Sequence, residues 1–149
     1  MKPEETIDFH IRWAWHSIAR LYNDTAEKYD LTVSTAFLLL NIDLKEGTPS
    51  TKLGPKMGME PRSLTRTLAS IEEAGLIYRK ADKRDKRMVR IYLTEVGKKK
   101  RELSKKAVIR FNEYIQEQIP KGKLNTFFEV IDSINKLLKE KTKEEIFNI

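Results

Sequence analysis

The 149-residue chain carries 29 Lys plus Arg against 22 Asp plus Glu, a net charge of +7, with 40% apolar residues and no cysteine, a composition that describes one basic globular domain. A chain of this size buries about 70% of the surface its unfolded form exposes, so it needs no disulfide or structural metal, and without Cys it has no thiolate zinc site and no thiol redox switch. Apolar runs such as Phe37-Leu38-Leu39-Leu40 are far below the roughly 18 residues of a membrane span, and the polar start MKPEETIDFH lacks the character of a secretory signal, so the expected compartment is the cytoplasm, with no membrane partner.

From Ile7, the positions Ile7, Ile11, Trp15, Ile18, Tyr22 and Tyr29 follow helical spacing and predict a long first helix ending near Asp30. Phe9, Trp13, His16 and Arg20 make a second stripe on it. Aromatic surface on two sides exceeds what a surface helix needs, so part of it is expected to meet a partner. Thr32 or Ser34 can cap a second helix through Phe37 to Leu44, closed by Gly47. Pro49-Ser50 then reads as turn plus N-cap for a short third helix, which Pro55 should shorten or kink by removing a backbone donor.

Gly58 to Gly75 predicts a fourth helix, with Pro61 early and Gly75 just past its end. Leu64, Leu68 and Ile71 share one face of it. At about 100° per residue, Arg62 and Arg66 point roughly 160° away from Leu64, flanked by Ser63 and Thr65. A short, polar, cationic surface of this kind suits the major groove, where Arg donates two hydrogen bonds to a guanine edge and hydroxyls suit phosphates or base edges.

Leu76–Lys80 and Val89–Thr94 are β-rich, the second alternating Val89, Ile91 and Leu93 with Arg90, Tyr92 and Thr94. The residues between them are too few for a crossover helix, so the pair must be an antiparallel hairpin. Its tip, Asp82-Lys83-Arg84-Asp85-Lys86-Arg87, reads as a wing that enters the minor groove or grips phosphate. Asp85 is expected to position Arg87 as the reader through a charge-assisted hydrogen bond. Charge concentrates here and just beyond. Arg79–Arg90 holds seven basic and two acidic residues, Glu95 follows, and Lys98–Lys106 holds six basic and one acidic. That stretch nets +9, leaving −2 for the rest of the chain, as expected for a polyanion-binding surface.

These residues resemble the MarR family of winged helix-turn-helix transcriptional regulators. The resemblance rests on Ser63-Leu64-Thr65-Arg66 with Gly75-Leu76-Ile77 downstream, on Arg79 followed by Asp85-Lys86-Arg87, and on Leu93-Thr94-Glu95-Val96-Gly97. These match the family's D-x-R, six-residue step and L-T-x-x-G ending, and the order of elements matches along essentially the whole chain. The resemblance implies a mainly α fold with a small antiparallel β-hairpin wing and flanking N- and C-terminal dimerisation helices. It also implies a homodimer on a palindromic operator and a small-molecule pocket between the dimerisation and DNA-binding lobes. Carried over by position, the DNA-binding residues are Arg62, Ser63, Thr65 and Arg66 on the fourth helix and Asp85 and Arg87 on the wing, with Arg84 beside them in the tip. The domain expected is a single one over residues 1–149, with dimerisation helices at 1–30 and 95–149 and the DNA-binding lobe at 31–94.

After the wing, Thr94 can cap a helix striped with Leu103, Ala107, Phe111, Tyr114 and Ile115 that ends at Pro120. Leu124, Phe127, Phe128, Ile131, Ile134 and Leu138 mark a final helix, followed by the apolar tail Ile146-Phe147-Asn148-Ile149. So much apolar surface at the chain ends predicts a homodimer whose two fourth helices stand about one DNA turn, roughly 34 Å, apart. Trp13, His16, Arg20 and Tyr22, with His10 near, could line a site for a small aromatic or amphipathic effector, Arg20 meeting a carboxylate. The sequence has no GxGxxG, GxxxxGK[ST], GxSxG or HExxH motif. His10 and His16 lie about 120° apart on a helix and cannot share one metal. Neither enzymatic activity nor a cofactor is therefore expected. The alternative to a sequence-specific, ligand-responsive repressor is a nonspecific architectural or protein-interaction module that uses the basic stretch for phosphate alone.

Overall fold

The first helix, α1 (Ile7–Glu27), starts where the Thr6 hydroxyl accepts the Phe9 backbone N–H. The structure is a computed structural model and describes residues 1–148; Ile149, the end of the expected apolar tail, lies outside the described residues. α1 stops three residues before Asp30, because the backbone N–H groups of Tyr29, Asp30 and Leu31 turn back onto the carbonyls of Ala26 and Glu27. Asp30 takes the left-handed conformation that closes such a turn.

Helix α2 (Val33–Leu40) is capped by Thr32, whose hydroxyl accepts from Thr35 N–H. It ends four residues short of the expected Leu44. Asn41 folds its amide back onto the Phe37 carbonyl at 2.9 Å, and the Asp43 carboxylate accepts from the N–H groups of Glu46 and Lys45. Those two backbone bonds hold the Asp43 carboxyl below its ordinary pKa. Leu44 is consequently exposed. Trp15 stacks on Phe37 and Tyr22 meets the same ring edge-on, fixing α1 against α2.

A two-residue strand, β1 (Thr48–Pro49), leads into α3 (Ser50–Met57). Pro49 occupies the N-cap position and Ser50 is the first helical residue, a correction to the expected Ser50 cap. α3 contains Pro55 and runs only eight residues before Gly58 closes it. Helix α4 (Pro61–Glu73) follows, then β2 (Ile77–Ala81) and β3 (Val89–Leu93). β2 and β3 pair antiparallel from Ile77 opposite Leu93 to Ala81 opposite Val89, and β1 pairs with β3 on its other edge, giving the order β1-β3-β2. Ile91 and Leu93 are buried, whereas Val89, expected to share their face, is exposed because that end of the ribbon projects past the core.

Helix α5 (Glu95–Gln118) begins at Thr94, whose hydroxyl donates to the Gly75 carbonyl at 2.6 Å and accepts from Gly97 N–H. Gly97 lies so close to the β2 entry that a Cβ there would sit 1.9 Å from the Leu76 carbonyl oxygen. Helices α6 (Lys121–Glu140) and α7 (Lys143–Phe147) complete the chain, α7 starting at a capping box between Thr142 and Glu145. Two compact units result, Met1–Val108 and the residues from Ile109 onward. Among the described residues no helix is long and apolar enough to cross a membrane.

Candidate nucleic-acid interface

On α4 the sequence's division of labour is realised in three dimensions. Leu64, Leu68 and Ile71 are buried against the core, while Arg62, Ser63, Thr65 and Arg66 are exposed on the opposite side. Thr65 donates its hydroxyl proton to the Pro61 carbonyl at 2.9 Å, so toward a ligand it offers only acceptor lone pairs. Among the described residues neither Arg62 nor Arg66 has an acidic partner within 4.0 Å. α3 lies beside α4, and the groove between them, about 700 Å³ in volume, is rimmed by Ser50, Thr51, Thr65 and Arg79. Arg79 on β2 bonds Glu72 of α4 at 2.8 Å and joins the base of the ribbon to this helix.

The ribbon's tip is a closed turn. Asp82 N–H donates to the Met88 carbonyl and Met88 N–H to the Asp85 carbonyl. The Asp82 Oδ1 accepts from Arg84 N–H at 2.7 Å and from Asp85 N–H at 3.1 Å, and its Oδ2 accepts from Arg90 Nε at 2.5 Å. The backbone bond from Arg84, then the Arg90 side chain, lower the Asp82 carboxyl to about 2. Above this turn Asp85 Oδ1 accepts both the backbone N–H of Arg87 at 3.0 Å and its Nε at 3.3 Å. The Arg87 side chain stays 92% exposed. A guanidinium held at its Nε presents its remaining donors outward, the geometry a groove reader needs. Arg84 is exposed in the same turn. The structure thus places Arg84, Asp85 and Arg87 together at the tip and Arg62, Ser63, Thr65 and Arg66 together on α4.

Sequence reading missed Asp82 and Arg90 as a working pair. An aspartate opening a basic hexapeptide, eight residues before an arginine on the adjoining strand, was the available signal. The basic stretch also divides. β3 spans about 13 Å between the tip and the start of α5, where Lys98 pairs with Glu95, Arg101 with Glu102, and Lys100 bonds the Tyr29 carbonyl. Two of its six basic residues thus pair within α5, and a third holds the turn after α1.

Three of the four candidate effector residues share one cleft, and Tyr22 does not. Trp13, His16 and Arg20 share an open cleft of about 450 Å³ with Ser17 and Asn23. Tyr22, nine residues from Trp13 and so half a turn round the helix, lines a different, apolar cavity with Phe37, Ser104 and Ala107. Burial there raises the Tyr22 hydroxyl above its ordinary pKa. That cavity holds about 30 Å³, room for about one water. Among the described residues there is no cluster of metal-ligating side chains.

The sequence model of the MarR family matches residues 31–89, the span from the end of α1 to the start of β3. The regulator SarZ of Staphylococcus aureus is 32% identical over 98 residues, covering 65% of this chain and 66% of its own length, just under two thirds. Among solved structures, the S. aureus MepR–DNA complex aligns with a TM-score of 0.80 at 18% identity, over 89% of this chain and 98% of that one. CouR of Rhodococcus jostii, bound to p-coumaroyl-CoA, aligns with a TM-score of 0.77 at 24% identity, over 90% and 94%. These likenesses establish the fold.

Proposed function

Because the chain belongs to the MarR family of transcriptional regulators, we propose that it binds duplex DNA sequence-specifically as a homodimer, on a palindromic operator, and that it represses transcription until an effector binds. The observation that carries this reading is the pairing of two outward, unneutralised arginines on α4 with an Asp85-held Arg87 at the ribbon tip. One set suits the major groove and the other the adjacent minor groove. The MepR neighbour is solved on DNA, which supports the use of this fold as a duplex reader.

Effector control finds support in CouR, solved with p-coumaroyl-CoA. In this chain the open Trp13–His16–Arg20 cleft offers an aromatic wall and a cation to an amphipathic acid. The Tyr22 cavity would have to expand to admit anything larger than water. An effector acts by preferring one separation of the two α4 helices over another, which shifts the population of binding-competent dimers.

Selection of bound duplexes from fragmented genomic DNA, followed by shift assays against random duplex across salt concentrations, tests the reading. A recurrent inverted repeat bound well above random DNA is the expected result. Equal affinity for both, with the same salt slope, supports the nonspecific architectural alternative instead.

A further inference from the structure

Arg90 lies on β3, next to the buried Ile91, yet its side chain is only 24% exposed. Its Nε bonds Asp82 Oδ2. Its Nη1 donates to the carbonyls of Glu46 at 3.1 Å and Gly47 at 3.2 Å, more than forty residues earlier in the chain. The guanidinium therefore spans two elements. On one side is the turn whose N–H groups Asp82 organises and on which Asp85 holds Arg87. On the other is the loop that feeds α3.

That loop is itself fixed. Gly47 has φ +63, and a Cβ there would lie 2.8 Å from both the Ile91 carbonyl oxygen and the Tyr92 ring. Pro49, two residues on, pairs with Arg90 across β1 and β3, and α3 starts at the next residue. A projecting two-stranded ribbon has little stiffness of its own, so its inclination depends on what braces it. Arginine can hold a carboxylate and two carbonyls at once because its donors form a rigid planar fork; lysine supplies a single point charge.

We propose that Arg90 is a positioning residue for DNA recognition: by clamping Asp82 to the Glu46 and Gly47 carbonyls it sets the wing tip relative to α3 and α4, so that Arg87 and the α4 arginines engage one duplex together. This rests on the DNA-binding reading above. Arg90 acts through the tip and makes no base contact of its own.

The test uses full-length protein and the duplex it enriches from a random-sequence library, with Arg87→Ala, Arg90→Gln, Arg90→Lys and the Arg87→Ala/Arg90→Gln double variant. Arg87→Ala comes first. A loss of about tenfold in affinity, together with lost minor-groove protection from hydroxyl radicals, shows that the wing reads DNA; unchanged binding overturns the wing's role itself. Given that loss, Arg90→Gln is expected to weaken binding by a similar factor and remove the same minor-groove protection. Major-groove protection of guanines by α4 should be retained. In the Arg87→Ala background it should then add less than about twofold, because coupled residues are non-additive. Wild-type binding by Arg90→Gln, additive losses, or simultaneous loss of the α4 footprint each overturns the positioning role. Should Arg90→Gln not fold, Arg90→Lys, which retains charge beside Asp82 but cannot span the carbonyls, carries the same cycle.

Discussion

Between Ala26 and Leu93 thirteen apolar side chains, none more than 8% exposed, interlock into one cluster drawn from α1 to α4 and the sheet. From Ile109 to Asn148 no side chain is buried: Phe127 and Phe128 are each 55% exposed and Leu138 62%. Both regions space their apolar residues at helical intervals, so the difference is not one of pattern. The first finds the other half of its core within the same chain. The second leaves its apolar stripe exposed, and contiguous exposed stripes of that kind mark interfaces. Folding of the winged lobe and assembly through the terminal helices should therefore be separable by substitution.

The largest effect falls in the lobe's core. Leu38 has no accessible surface, and Leu38→Ala should lower stability by about 2–5 kcal/mol through lost burial and a residual cavity, read from urea denaturation by circular dichroism. A loss under about 1 kcal/mol would place the core elsewhere. Phe127→Asp with Leu138→Asp sharpens the other side of the contrast. These positions already face solvent in one subunit, so unfolding of the lobe should change little. The proposed homodimer should weaken by about 2 kcal/mol or more, moving the sedimenting species from dimer to monomer. An unchanged sedimentation coefficient at low micromolar protein would remove α6 from the interface. Arg66→Ala, on the lobe's outer face, should leave stability intact and cost about 1–3 kcal/mol on the selected duplex while sparing random DNA. Equal losses on both would make Arg66 a phosphate contact.

Much of the interface was readable from residues alone because its signals are local. Pro61 and Gly75 bracket α4, the Leu64–Leu68–Ile71 stripe sets its inner face, and alternation defines the hairpin. Where the outcome depended on distant groups, the reading fell short. The apolar run of α2 invited extension to Leu44, but Asn41 and Asp43 bind nearby backbone and stop the helix at Leu40. β1 is two residues long and exists only because β3 offers it an edge. Tyr22 and Trp13, both candidates for one effector site, lie half a turn apart on α1 and line separate spaces. Arg90 resembled any solvated strand charge, since its partners at Glu46 and Gly47 are brought to it by the tertiary fold.

The smallest effect concerns acid stability, and it isolates one electrostatic contribution within the lobe. The Asp82 carboxyl is held at about 2 in the folded protein against an ordinary value of 3.8. The folded state therefore binds this proton less readily than the unfolded state. The resulting stabilisation is complete above about pH 4 and disappears as pH falls from 3.8 toward 2. Asp82→Asn retains an oxygen to accept the Arg84 and Asp85 N–H groups but gives up the charge facing Arg90. Its stability should lie below that of the parent at neutral pH and decline less steeply between pH 4 and 2. Other lowered carboxyls, including Glu95 on α5 and Glu145 on α7, remain in both proteins, so the difference between the two acid profiles reports Asp82 alone. Parallel profiles would mean that the Arg90 clamp holds the wing through its carbonyl bonds without help from the ion pair.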